Sequence, residues 1–223
     1  MIVKEINSSF DLGHGSQLRT PGRHVSEIIR ELAVSRGIWK QDDQDELDYS
    51  LAKYRAGRGE NVVKLYPSAI YRIAVGLAWE SWYGPQVPEI NFHGIGELSK
   101  RGIIGTPDGL KIKPATRALV IPEIKFTFKS SRDDREDPQE RIRKEYPWTA
   151  QIASYCALAT TGPVEVDNQN LVTDGELHVF WANGNYKGSG PQLRVYEIEF
   201  SREEIVANWR VIEAKSQEMD REQ

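Results

Sequence analysis

Apolar residues recur along this chain at two periods, one helical and one strand-like. Ile28, Ile29 and Leu32 share one helical face. Ser26 is the expected cap of that helix, which runs to about Ser35 with Gly37 near its end. Residues 66–84 read as a second helix, with Pro67 in the first turn, Ile70, Ile73, Ala74 and Leu77 at helical spacing, and Gly84-Pro85 as its stop. Three strand-like runs follow at 90–98, 102–112 and 117–129, separated by turn residues. The charged stretch 131–146 reads as a loop leading into a short helix, and 147–162 as a helix opened by Pro147 and closed near Gly162. Residues 176–183 and 192–200 alternate as a closing hairpin. A last helix opens on a capping box, Ser201 with Glu204, and carries Ile205, Trp209 and Ile212 as its stripe. The order is helices, strands, helix, strands, helix. It predicts an α/β fold with a mixed central β-sheet flanked by helices.

The 223 residues suggest one domain spanning the chain, and no repeat or long linker divides it. Residues 1–22 look irregular, and the acidic run 41–48 reads as solvated surface. With 39% hydrophobic and 28% charged residues the chain can bury a core under a polar surface. No apolar run reaches the roughly 20 residues of a membrane span. The opening MIVKEINSSFDLGHG lacks a basic region followed by an apolar core, so no secretory leader is expected. A single cysteine, Cys156, excludes an intrachain disulfide framework, and a cytoplasmic compartment is expected. A net charge of −4 argues against non-specific coating of nucleic acid but permits a local basic cleft.

The chemistry starts at residues 105–110, GTPDGL, and 120–129, VIPEIKFTFK. Along a strand, Glu123, Lys125, Thr127 and Lys129 share one face, and Ile124, Phe126 and Phe128 the other. The plain alternative is an amphipathic strand with its charged face in water, and Pro107-Asp108-Gly109 alone is an ordinary turn. Together they say more. Asp108 and Glu123 are separated by a distance in sequence that adjacent strands can close. Two carboxylates brought together repel unless a cation neutralises them, and hard oxygen ligands suit Mg²⁺ or Mn²⁺. Lys125, on the face of Glu123, places an ammonium beside that ion. A metal, an activated water and a fixed cation are what phosphodiester hydrolysis requires.

Pro107-Asp108 followed by Glu123-Ile124-Lys125 resembles the signature of the PD-(D/E)XK nuclease superfamily. Gln151 and Tyr155, on one face of the helix that follows, resemble the glutamine-x-x-x-tyrosine helix of its RecB-like branch, which helps orient the substrate backbone. The resemblance covers about residues 66–160. It implies a restriction-endonuclease-like core and a Mg²⁺- or Mn²⁺-dependent deoxyribonuclease, most simply an exonuclease of recombination or repair in a bacterial or phage-infected cell. Asp108 and Glu123 would hold the metal, with the Ile124 carbonyl assisting and Lys125 acting on the water. Glu80 lies on an apolar helical face, where a carboxylate is costly unless paired or coordinating, and matches the position of a further ligand in the RecB-like and phage-exonuclease branches. Many relatives carry histidine there, which leaves the number of metals open. Relatives with an iron–sulfur cluster use four cysteines, so none is expected here.

For the DNA backbone the candidates are Arg19 and Arg23, because phage-type exonucleases use an N-terminal arginine near a terminal phosphate, then Lys129, Arg30 and the run Arg141–Lys144. His24 and His93 have no partner at metal-ligand spacing and read as structural. A ring-shaped homo-oligomer, and a recombination or replication protein as partner, are further implications of the resemblance. The alternatives are a non-catalytic DNA-binding or assembly protein on the same fold and a structure-specific endonuclease. No glycine-rich phosphate loop, zinc spacing or serine nucleophile elbow points to another class.

Overall fold

A computed structural model describes residues 22–38, 67–129, 131, 137–165, 168–184 and 190–221. Among them β1 (Arg23–His24) leads into α1 (Val25–Ser35), and α2 (Pro67–Tyr83) ends in a single 3₁₀ turn, Gly84–Gln86. Four strands follow, β2 (Asn91–Phe92), β3 (Leu98–Lys100), β4 (Ile103–Gly105) and β5 (Gly109–Ile112), then the long β6 (Leu119–Thr127). Next come α3 (Pro138–Lys144), α4 (Tyr146–Ala159), β7 (Asp174–Trp181), β8 (Gln192–Glu199) and α5 (Arg202–Arg221). No helix of the described residues is long and apolar enough to cross a membrane.

The strands form two mixed sheets. The larger has the order β2-β5-β6-β7-β8, with β6 and β7 parallel and the other pairs antiparallel. The smaller has the order β1-β4-β3. The mixed α/β arrangement expected from the sequence is therefore present, and it brings Asp108 to the strand that carries Glu123 and Lys125. The turn expected at Pro107-Asp108-Gly109 ends β4, and the following strand β5 lies in the other sheet. A proline has no amide for a ladder, so the step falls where the sequence carries Pro107. One expectation is corrected: residues 90–98 do not form one strand, since they hold β2 and only the first residue of β3, in different sheets.

One face of the large sheet packs on α4. Ile121, Leu177, Val179 and Trp181 are buried there against Ile152, Cys156 and Ala153. The contact is close enough to require glycine in β7, because a Cβ on Gly175 would lie 2.3 Å from Ile152 Cγ2. Behind α4, Ile205, Trp209 and Ile212 of α5 are fully buried, each contributing about 1.5–3 kcal/mol over an exposed position. The Ser201–Glu204 box is formed as expected: Ser201 N–H donates to Glu204 Oε2 at 2.8 Å and Glu204 N–H to Ser201 Oγ at 3.2 Å. The opposite face of the sheet packs on α2, where Trp79 stacks on Phe180 at 4.1 Å. Helix α1 begins at Val25, not after Ser26, and has no side-chain cap among the described residues.

Two basic residues serve as helix plugs. Lys100 Nζ donates to the carbonyls of Ala157, Thr160 and Gly162 at 2.6, 2.7 and 3.1 Å, closing α4. Arg23 closes α5 through Asp220 Oδ1 at 2.8 Å and the Met219 carbonyl at 2.7 Å. Cations satisfy the free carbonyls and the negative end of a helix in this way.

Candidate active site

The local structure of β6 begins with an anomaly. Pro122 sits inside the strand, where it offers no amide to a neighbour. Residues two apart present their backbone groups to the same side, so Pro122 and Ile124 face the same neighbour. On that side, among the described residues, the register of β5 with β6 pairs only Lys111 with Val120 and Ile112 with Leu119. Beyond it the Ile124 amide is taken by the Asp108 carboxylate, with Oδ2 accepting at 2.6 Å. Asp108 therefore ends the ladder and is fixed against β6 by the strand's own backbone. The Ile124 carbonyl leaves the strand on the same side as its amide.

Glu123 and Lys125 point to the α4 face of the sheet, beside Leu177 and Val179 of β7. The plain expectation of a charged face in water is overturned: Glu123 is 1% exposed, and Lys125 Nζ is bonded to Glu123 Oε1. The other oxygen, Glu123 Oε2, is buried with no hydrogen-bond partner among the described residues. A buried carboxylate oxygen left bare is costly and marks a place where a cation fits.

Glu80, near the C-terminal end of α2, comes to the same place, close enough to Asp108 for the two carboxyl groups to perturb each other. His93 Nε2 lies 3.8 Å from Glu80 Oε1. Its backbone is held in the left-handed region at φ 54°, and its amide donates to the Asp108 carbonyl at 2.9 Å. His93 thus lies beside Glu80 and helps fix the Asp108 backbone, although its spacing in the sequence pairs it with neither. Its address depends on a turn conformation, to which neither its spacing nor its neighbours gave a signal.

Three carboxylic acids in one partly dry place do not all ionise. Burial first, then Asp108, pushes Glu80 up to about 7. Burial and the same neighbour push Glu123 up to about 8, against the pull of Lys125. Asp108 is raised by burial and held back by Lys125 and the Ile124 amide. Lys125 is itself held above its usual range because the three carboxylates outweigh the cost of its burial. The donor set is all oxygen, crowded, with one bare buried atom, and this fits a hard divalent cation. Among the described residues, as their side chains stand, no group of three or more His, Cys, Asp or Glu is arranged to hold a metal ion. Lys125 covers one oxygen of Glu123 and the Ile124 amide one of Asp108, so an ion bound there would have to displace Lys125.

On α4, Gln151 Nε2 donates to Tyr155 Oη at 2.8 Å. Tyr155 is 4% exposed and lies in the core, whereas Gln151 is half-buried. Tyr155 also abuts the smaller sheet: a Cβ on Gly105 would lie 2.7 Å from its ring and 2.6 Å from Leu158 Cδ1. Glycine at 105 therefore lets α4 settle onto β4, immediately before the step that carries Asp108. Lys129 is exposed at the end of β6, bonded to Glu145 Oε2 at 2.7 Å and 5.4 Å from the Trp148 ring centre.

The basic residues divide. Arg19 lies outside the described residues. Arg23 is corrected: it is 4% exposed and spent on the end of α5, so its guanidinium is not presented to a phosphate. Arg141 is likewise buried, over the Trp181 ring at 4.8 Å, whereas Arg143 and Lys144 are exposed and Arg30 is half-buried. Cys156 is buried, and its thiol is pushed far above its usual range by desolvation, which makes it inert.

No protein-family model matches the sequence, and no curated protein matches it. Among solved structures the chain is similar to a phage related exonuclease from Haemophilus somnus 129PT, at 11% identity and a TM-score of 0.49, over 88% of this chain and 92% of that one. It is also similar to LHK-Exo in complex with dAMP, at 14% identity and a TM-score of 0.46, over 91% of this chain and 89% of that one. A further structure of LHK-Exo, an alkaline exonuclease from Laribacter hongkongensis, aligns at 14% identity with a TM-score of 0.41, over 91% of this chain and 93% of that one.

Proposed function

We propose that this chain is a Mg²⁺- or Mn²⁺-dependent deoxyribonuclease of the PD-(D/E)XK kind, acting from a DNA end. The observation that carries the reading is the meeting of Asp108, Glu123 and Glu80 with the Lys125 ammonium, Glu123 Oε2 being buried and bare. Asp108 and Glu123 would hold the ion, with Glu80 and the Ile124 carbonyl as further ligands. When bound, the ion neutralises the carboxylates, polarises the phosphate and lowers the pKa of a water. Lys125 lies next to Glu123 and is kept protonated by the carboxylates around it. With those carboxylates engaged by a cation, the ammonium would be placed to orient the attacking water and to offset charge growing on the phosphate. Gln151, its amide fixed by Tyr155, braces the DNA backbone, and exposed Lys129 contacts a phosphate farther along. Acting from an end rests on the Gln151–Tyr155 helix, which resembles that of the RecB-like branch.

The test is incubation of labelled linear DNA and covalently closed circles with Mg²⁺ or Mn²⁺, with Lys125→Ala as control. Metal-dependent loss of the linear DNA, absent in Lys125→Ala, supports the reading. Equal, metal-independent activity in both proteins refutes it. Cleavage of the closed circle refutes the end-directed part alone. DNA binding without metal uptake turns the chain into a non-catalytic binding protein.

A further inference from the structure

On the face of the sheet opposite Glu123 four polar side chains form an unbroken chain. Tyr83 Oη and His178 Nδ1 share a hydrogen bond of 2.8 Å. His178 Nε2 donates to Glu176 Oε1 at 2.7 Å, and Lys111 Nζ donates to Glu176 Oε2 at 2.6 Å. His178 is 2% exposed and Glu176 4%. The chain crosses three strands. Tyr83 comes from the last turn of α2, His178 and Glu176 from β7, and Lys111 from β5, reaching over β6 to the strand beyond.

Its ends fall at informative places. Tyr83 lies three residues after Glu80 on α2, and Lys111 three residues after Asp108 at the start of β5. The two segments that must bring Glu80 and Asp108 together are thus tied through the sheet by one set of hydrogen bonds. Burying such groups gives little stability over apolar side chains of similar size. The surroundings would suit apolar replacements, since Trp79 stacks on both Tyr83, at 5.1 Å, and Phe180. What polar groups add and apolar ones do not is a fixed direction and register.

We infer that Tyr83, His178, Glu176 and Lys111 are positioning residues that hold Glu80 against Asp108 for divalent-ion binding. The inference rests on the metal-dependent reading of the site. None of the four touches the ion or the substrate. They act through the placement of α2, and misplacement on the order of 1 Å at such a site costs roughly 100-fold in rate.

The experiment is Mn²⁺ titration by calorimetry on the full chain, as wild type, Tyr83→Phe, Glu80→Ala and the double variant, with thermal unfolding as a fold control. Tyr83→Phe removes one oxygen and is expected to weaken Mn²⁺ binding roughly tenfold, in the range seen when outer-shell partners are lost. In the Glu80→Ala background the same change is expected to do nothing, because the ligand it serves is gone. Lys111→Met, which cuts the chain at its other end, is expected to reproduce the loss and covers the case in which Tyr83→Phe folds poorly. An unchanged Mn²⁺ affinity in both Tyr83→Phe and Lys111→Met overturns the inference. So does an equal loss with and without Glu80, which would be general loosening. Wild type that binds no Mn²⁺ overturns the metal reading itself, and the inference with it.

Discussion

The crowding of carboxylates predicts that Glu123→Gln makes the metal-free protein more stable while destroying its site. Glu123 is 1% exposed, and its carboxyl is raised from the ordinary 4.5 to about 8. Between those values the folded protein retains a proton that the unfolded chain has released. Metal-free stability is therefore full below about pH 4.5, falls as pH rises, and has lost this contribution entirely above about 8. At pH 7 the loss is the interval from 4.5 to 7 at about 1.4 kcal/mol per unit, or about 3 kcal/mol. Glutamine does not titrate and escapes this cost, but Lys125 loses its partner, which returns roughly 1–2 kcal/mol. The expected net gain at pH 7 is about 1–2 kcal/mol, shrinking toward zero or below near pH 5. Urea unfolding in EDTA at pH 5 and pH 7 reads it directly. With saturating Mn²⁺ the order should reverse, since only wild type is stabilised by binding. A Glu123→Gln protein less stable than wild type at pH 7 in EDTA, or a difference equal at both pH values, would refute the argument.

Lys125→Met should retain Mn²⁺ binding, because it removes a competitor for Glu123 Oε1, yet lower the cleavage rate by roughly 10²–10³-fold; paired calorimetry and single-turnover assays separate the two. Gly105→Ala places a methyl 2.6 Å from Leu158 Cδ1 and should cost about 1–3 kcal/mol in urea unfolding, with activity falling as α4 is displaced from β4. Ser201→Ala removes the acceptor of the Glu204 amide and should cost about 1 kcal/mol with no change in Mn²⁺ affinity.

Local signals were legible where one element satisfies itself. The α5 capping box and its Ile205-Trp209-Ile212 stripe need no partner to be read, and the structure contains both. The strand carrying Glu123 and Lys125 was also legible from its alternation. What was hidden depends on which elements meet. Both faces of β6 are covered, so periodicity suggested a wet face that does not exist. Arg23 is an ordinary surface arginine until α5 ends beside it. His93 joins the carboxylates only because a turn holds it at positive φ. The division of 102–112 and the release of β6 from β5 had a visible sign in Pro107 and Pro122, breakers in otherwise strand-like runs.

The central claim is that Asp108 and Glu123 share one divalent ion beside Lys125. Anomalous diffraction from a crystal soaked in Mn²⁺ tests it most directly. The account predicts a peak roughly 2.0–2.3 Å from a carboxylate oxygen of each residue, with Lys125 Nζ turned away from Glu123. A peak held by other residues, or a saturated soak that leaves the Lys125–Glu123 pair intact and unliganded, would contradict it.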